Sequence, residues 1–366
     1  VNQLRIEGYR SIRELTLPLR QLNVIVGPNG CGKSNLYQSV SLLRAAAAGD
    51  LSRTLASEGG FPSALWAGDR SGGPVRMKLG VTIDDFDYDL ELGLPQPGTA
   101  FELDPHIKSE LIYQRVGSKK ICWLDRGTNG CTLRDASGKR VPYPMALDHS
   151  ESVLNQISDP HNFPILTSLR TSLLKWRFYH GFRSDAASPM RSPQVGVRTM
   201  AMSADGSDLA AALQTIAEIR PALILQNAVR DAFPNSHLSI RGNRGVFEVE
   251  MATQGIHRSL TAKELSDGTL RYLCLLAALL SPSPAPLLAL NEPETSLHED
   301  LLWPLARLII SCAEGSQIWL TTHSRTLTAS IKEEPTAFVI DLEKVDGVTQ
   351  RTGRPKGLIY SEDWDT

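Results

Sequence analysis

Gly27, Gly32, Lys33 and Ser34 match the pattern G-x-x-x-x-G-K-[ST] in full, within Gly27-Pro28-Asn29-Gly30-Cys31-Gly32-Lys33-Ser34. Glycines at these places let the backbone curl until successive N–H groups converge on phosphate oxygens. A helix starting at the end of the turn adds unpaired N–H groups and the positive end of its dipole. In such a cradle, built from Asn29, Gly30, Cys31 and Gly32, Lys33 would reach β- and γ-phosphates and the Ser34 hydroxyl would ligate Mg²⁺. The alternative is an ordinary glycine-rich β–α turn; the flanking patterns weigh against it.

A second constellation lies far along the chain. Glu264-Leu265-Ser266-Asp267-Gly268-Thr269 opens an apolar helix, with Ser266 as N-cap and Gly268 permitting close backbone approach. By itself this is an unspecific helix start. The buried-strand run Pro286 to Leu290 ends in Asn291-Glu292-Pro293-Glu294, and the run Gln317 to Thr321 ends in Thr322-His323-Ser324. An acid and a histidine at the ends of two strands stand where parallel sheets place their ligand sites.

The elements that must position these groups are readable. Leu22, Val24 and Val26 alternate with Asn23 and Ile25 as a strand into the turn. After Ser34, Leu36, Val40 and Leu43 share a helix face, and Gly49 stops the helix. Before the turn, Gln3 to Ile6 and Glu14 to Leu17 read as strands around Gly8-Tyr9-Arg10-Ser11-Ile12. Arg10 would lie near the bound nucleotide or be a solvated turn arginine. Strand-like runs at 75–83, 86–92, 107–116, 120–125 and 131–135, separated by turn signals, predict an antiparallel β layer. Residues 205–233 are helical, with Leu209, Leu213 and Ile216 on one face and Leu223, Ile224, Ala228 and Ala232 on another. A hairpin around Gly242-Asn243-Arg244-Gly245 follows.

At 366 residues the chain can bury a large core and divide into lobes. The expected division is 1–200 (loop core plus β layer, about 75–180), 201–285 (helical) and 286–366 (return to the core). A net charge of -2 exerts no global pull on nucleic acid or membrane. The five cysteines form no C-x-x-C pair, which suits reduced thiols in a cytoplasmic protein. The first twenty residues carry four arginines and no apolar core, so no signal peptide is expected. The longest apolar run, Leu273 to Leu280, is too short to span a bilayer.

One stretch differs in charge. Arg170, Lys175, Arg177, Arg183, Arg191 and Arg198 stand against one acid, Asp185, with Trp176, Phe178, Tyr179 and Phe182 interleaved. Basic plus aromatic residues suit a nucleic-acid surface. Residues 176–182 also read as an alternating strand whose aromatics fill a core, the reading preferred for those rings; the arginines stay open between the two.

Taken together, Gly27 to Ser34, Leu265 to Thr269, Leu290 to Glu294 and Thr321 to Ser324 resemble, in order, the Walker A, signature, Walker B and switch-histidine motifs of ABC-type ATPases. The opening Leu4-Arg5-Ile6-Glu7-Gly8-Tyr9-Arg10-Ser11 is similar to the SMC/RecF/OLD branch, and more narrowly to bacterial RecF-like "AAA family" ATPases. The resemblance covers almost the whole chain. It implies an α/β P-loop NTPase of ABC/SMC-head type, with a mixed central sheet, an antiparallel β layer and a helical signature lobe. About 230 residues separate Lys33 from Ser266 without sustained heptads, so no coiled-coil arm is expected. Only 43 residues follow His323, too few for the Toprim domain of OLD proteins. The β layer and the distant signature are unlike transporter motors.

The resemblance further implies that two heads sandwich ATP in a homodimer. Lys33 and Ser34 of one subunit would hold phosphates and Mg²⁺, while Ser266 and Gly268 of the other cap the γ-phosphate. Glu292 becomes the general base, His323 the γ-phosphate sensor, and Thr295 to His298 the D-loop at the seam. Arg183 or Ser184 marks the Q-loop place, with Gln194 near but no glutamine on the spot. Asn291 stands where the Walker B aspartate normally binds the metal's shell, so hydrolysis is expected to be slow. Asp267 and Thr269 also depart from the signature pattern. The first functional expectation is an ATP-switched protein acting on DNA in repair, replication or phage defence. Its rival is an ATPase that regulates a protein partner, for example in a defence or toxin system, without touching DNA.

Overall fold

The computed structural model describes residues 1–69 and 72–353. The hairpin β1 (Gln3–Tyr9) and β2 (Ile12–Pro18) leads to β3 (Leu22–Val26), the glycine-rich turn and helix α1 (Lys33–Ala48). Helices α2 (Leu51–Ser57) and α3 (Phe61–Ala64) precede six strands. These are β4 (Arg76–Ile83), β5 (Phe86–Gly93), β6 (His106–Val116), β7 (Lys119–Gly127), β8 (Gly130–Arg134) and β9 (Arg140–Pro142). Next come α4 (Val153–Gln156), α5 (Pro164–Leu174), β10 (Arg177–His180) and β11 (Gln194–Val195). Then come α6 (Leu209–Ile219), α7 (Ala222–Ala232), β12 (Ser236–Asn243), β13 (Val246–Thr253), β14 (Leu260–Thr261) and α8 (Asp267–Leu279), with β11, β13, β12 and β14 forming a small antiparallel sheet. The chain ends in β15 (Leu287–Asn291), α9 (Leu302–Cys312), β16 (Gln317–Thr321), α10 (Arg325–Lys332), β17 (Ala337–Val345) and β18 (Val348–Arg351).

The central sheet has the order β10-β15-β16-β3-β17-β18, with β10, β15, β16, β3 and β17 mutually parallel and β18 antiparallel at the edge. Every residue of β15 and β16 is buried, as a sheet covered on both faces requires. Side chains alternate between two cores. Ile25, Leu287, Ala289 and Trp319 face α1 and the antiparallel layer, whereas Leu22, Val24, Leu288, Leu290, Ile318 and Leu320 face the side of α6 and α8. The antiparallel sheet runs β2-β1-β4-β5-β6-β7-β8-β9, so the opening hairpin is stitched to the layer that begins at Arg76.

The expected strand after Lys175 exists, and its aromatics lie in the cores: Trp176, Tyr179 and Phe182 are buried. That strand, β10, belongs to the parallel sheet rather than the antiparallel layer, which stops at Pro142. Its apolar residues serve both faces, Phe178 one core and Tyr179 the other, and only a doubly covered sheet accommodates that.

The expected inward face of α7 is rotated. Leu225 and Val229 are buried, Ala228 and Ala232 border the core, and Leu223 is 66% exposed. The rotation follows from β12, where Gln226 Nε2 donates to the Leu238 carbonyl at 2.7 Å and holds the neighbouring Leu225 inward. No helix among the described residues is long and apolar enough to cross a membrane.

Candidate functional site

The turn after β3 carries its glycines at positive φ, 150° at Gly27, 75° at Gly30 and 109° at Gly32. Helix α1 begins without a side-chain cap and without an acid in its first turn. Its leading N–H groups and dipole are therefore open to an anion. Asn29, Gly30 and Ser34 are exposed, and a Cβ on Gly30 would meet nothing, so the mouth of the loop is clear. Lys33 is 4% exposed, its ammonium donating to the carbonyls of Gly27 at 2.7 Å and Pro28 at 3.1 Å. Its charge already sits inside the loop, and these residues fit a polyphosphate. Cys31 differs from its neighbours. Its thiol is buried and its N–H closes a turn onto the Pro28 carbonyl at 3.3 Å.

Arg10 is half-buried and tied down on several sides. At φ 47° it pairs with Glu58 at 2.8 Å, reaches Asn35 Oδ1 at 3.4 Å and covers the Tyr9 ring. It is thereby held beside the first turn of α1.

Glu292 and His323 come together at the ends of the neighbouring strands β15 and β16. Glu292 Oε1 lies 2.6 Å from His323 Nε2, and the Glu292 N–H donates to the Thr321 carbonyl at 2.8 Å. Glu292 has φ 49°, a left-handed conformation that costs a non-glycine residue about 1–3 kcal/mol and commonly marks a functional position. The Thr322 N–H donates to the Ile25 carbonyl, tying this corner to the phosphate-loop strand. Asn291 is 4% exposed; its Oδ1 accepts from Thr321 Oγ1 at 2.6 Å and its Nδ2 lies 2.5 Å from His180 Nδ1. An amide oxygen has two lone pairs, so one remains for a metal-bound water. No cluster of three His, Cys, Asp or Glu among the described residues could hold a metal alone. Magnesium suits this poverty, since it takes one or two protein ligands and completes its shell with phosphates and water.

Glu294, which the motif reading quoted without a role, organises the histidine loop. Its Oε1 accepts from Thr322 Oγ1 at 2.6 Å, His323 N at 2.7 Å and Ser324 N at 3.1 Å. Three donors converging on one acid at the end of the next strand cannot be inferred from spacing.

Ser266 caps α8 as expected, accepting from the Thr269 N–H at 3.1 Å, and is exposed. Two arginines hold this helix start. Arg191 donates to the carbonyls of Ala262, Lys263 and Leu265 at 2.8–3.2 Å, to the Ser184 carbonyl at 2.9 Å, and pairs with Asp267 at 2.5 Å. Arg271 donates to Ser184 Oγ at 3.0 Å and to the Thr295 carbonyl at 3.3 Å. Gly268 lies against the Ser296 carbonyl, where a Cβ would approach to 3.0 Å. The signature loop, the segment after β10 and residues 295–296 thus form one hydrogen-bonded unit. Ser184 is at its centre, while Arg183 pairs outward with Asp185 and Gln194 binds the Ala210 N–H.

The arginine-rich stretch is only in part an exposed basic face. Arg170 bonds the Ala47 carbonyl, Arg177 bonds Ser281 Oγ at 2.8 Å, Arg183 pairs with Asp185 and Arg198 with Glu218. With Arg191 committed to the signature loop, three of the six cations, Arg170, Arg177 and Arg191, serve internal contacts up to 123 residues away, whereas Arg183 and Arg198 stay exposed in surface ion pairs.

The family model described as "AAA domain, putative AbiEii toxin, Type IV TA system" matches residues 22–329. Among solved structures, the chain is similar to an SMC head bound to the C-winged helix domain of ScpA, at 13% identity and TM-score 0.54, over 96% of each chain. It is likewise similar to an Smc head domain with an extended coiled coil, bound to the C-terminal domain of ScpA and derived from Pyrococcus furiosus. There the identity is 13% and the TM-score 0.54, over 96% of this chain and 95% of that one. No curated protein matches significantly. The likeness establishes the fold, that of an SMC head domain. The longest described helix, α1, has 16 residues, so the described residues include no coiled-coil arm.

Proposed function

This chain belongs to that AAA-domain family, and we propose that it is a nucleotide switch: an ATPase that binds ATP with Mg²⁺, pairs head-to-head with a second copy, and hydrolyses slowly. The observation that carries the reading is Glu292 Oε1 held 2.6 Å from His323 Nε2, on strand ends beside the phosphate-loop strand. Glu292 is placed to take a proton from a water, and His323 to fix the Glu292 carboxylate and read the terminal phosphate. Lys33 turns its ammonium from the Gly27 and Pro28 carbonyls to bound phosphates. Ser266 and Gly268, exposed or half-exposed at the start of α8, supply the cap of a partner copy's site. Ser34 directly, and Asn291 through a water, would hold magnesium, which would supply charge neutralisation at the phosphates. Because Asn291 adds no charge of its own, turnover is expected at about 1 s⁻¹ or below, under the median enzyme rate.

On the partner, a protein is favoured over DNA. The internal commitments of Arg170, Arg177 and Arg191 weaken the case for a basic DNA face, although Arg183 and Arg198 remain exposed in surface ion pairs. The family's description as a putative toxin of a toxin–antitoxin system also supports regulation of another component. The decisive experiment is mass in solution with and without Mg-ATP. The wild type is expected to dimerise transiently, Lys33→Ala to stay monomeric, and Glu292→Gln to accumulate as dimer with turnover lowered about 10²- to 10⁴-fold. A Glu292→Gln variant that turns over normally, or a wild type indifferent to ATP, ends the proposal.

A further inference from the structure

The terminal hairpin β17–β18 reaches the phosphate loop from the far end of the chain. The carbonyl of Leu342 in β17 packs on Gly27, where any Cβ would overlap it. Thr349 in β18 is fully buried, and its Oγ1 donates to the Cys31 carbonyl at 2.7 Å. A Cβ on Gly32 would overlap the Thr349 hydroxyl, so glycine at 32 answers to this contact as well as to its φ.

The direction of the bonds is settled by what each group can do. The Cys31 carbonyl only accepts, so the Thr349 proton is spent there. Thr349 Oγ1 must then accept from Ser11 Oγ at 2.7 Å, and Ser11 Oγ accepts from Asn35 Nδ2 at 2.7 Å. Asn35 Oδ1 in turn receives Arg10 at 3.4 Å. The Thr349 N–H also donates to the Ser11 carbonyl at 2.8 Å. Donors therefore run one way, from Arg10 through Asn35, Ser11 and Thr349 to the loop carbonyl. A directional chain of this kind polarises and stiffens itself.

We propose that Thr349 is a positioning residue for the triphosphate: its hydroxyl fixes the Cys31–Gly32 peptide, and so the N–H groups that start α1. The proposal rests on the nucleotide-binding reading above. Thr349 touches no phosphate; it acts through the loop. Its loss therefore weakens ATP and ADP alike, raising KM with kcat at saturation little changed, the pattern of lost uniform binding.

The test compares Thr349→Val, which keeps the shape and removes the hydroxyl, with Thr349→Ser, which keeps the hydroxyl. Fluorescent ATP and ADP analogues give Kd, steady-state assays give KM and kcat, and thermal melts without nucleotide give folding. Thr349→Val is expected to raise Kd and KM at least tenfold, and Thr349→Ser to stay within about threefold of wild type. If Thr349→Val does not fold, Ser11→Ala serves instead, expected to raise both Kd values severalfold. Equal Kd in wild type and Thr349→Val, with only the melting temperature lowered, assigns Thr349 a structural role and overturns the proposal. So does an unchanged Kd in Ser11→Ala should that variant be the one that folds. A wild type that binds neither nucleotide overturns the nucleotide reading itself, a distinguishable result.

Discussion

The two half-sites are held by opposite means. The phosphate loop is fastened from the β1–β2 turn, α1 and β18 chiefly by hydrogen bonds between uncharged groups, buried or half-buried, with the Lys33 ammonium folded inside and Arg10 at the chain's outer end. The start of α8 is exposed and is fastened chiefly by one guanidinium, Arg191, which alone meets four carbonyls and a carboxylate. Many weak ties at one half and one dense tie at the other suit different tasks. The loop must already be formed when phosphate arrives, whereas the signature end must present itself to a second molecule.

The hardest blow to this contrast is Arg191→Ala. It strands the carbonyls of Ala262, Lys263 and Leu265 and is expected to destabilise the region around α8 by about 3 kcal/mol, in the range for a broken buried charged network. Dimerisation on ATP should vanish while the monomer's ATP affinity stays within about twofold, because no tie of the phosphate loop involves Arg191. Sedimentation with and without ATP, beside nucleotide titration, checks both. Weakened ATP binding in the monomer would mean that the halves are not separately built.

Much of this was readable beforehand, and the remainder was not for a common reason. The β15 and β16 runs, the Ser266 cap and the Gly49 stop are local patterns, set by burial period and helix-end chemistry within a few residues. Thr349 meets Cys31 across 318 positions, and Arg191 meets Leu265 across 74. Such pairs are created by topology and leave no periodic trace. The rotated face of α7 has the same origin, since Gln226 takes its partner from β12. A charge count along residues 170–198 has the same limit, since it cannot see that Arg170 and Arg191 are taken up by backbone carbonyls of distant segments.

A smaller effect sharpens the phosphate side. Asn291→Asp would place a carboxylate against His180 Nδ1, now 2.5 Å from the amide, and give the cation's surroundings the charge that they lack. Turnover measured in Mg²⁺ is expected to rise about tenfold, a gain of about 1.4 kcal/mol in barrier. No gain would mean that the neutral side chain is not what slows the reaction.

The smallest expected effect falls on the signature side and isolates what kind of tie Arg191 makes. Asp267 is 60% exposed, and exposed ion pairs contribute about 0.2–1 kcal/mol and fade with salt. The carbonyl bonds of the same guanidinium stay with the 11%-exposed side chain and are little screened. Asp267→Asn should therefore lower stability by less than about 1 kcal/mol at low salt, with the difference shrinking toward zero by about 0.5 M salt. ATP-driven dimerisation should persist, since Ser266 and Gly268 keep their places. Were Asp267→Asn as damaging as Arg191→Ala, the signature end would be held by its ion pair rather than by its backbone, and its contrast with the neutral phosphate half would be electrostatic at root.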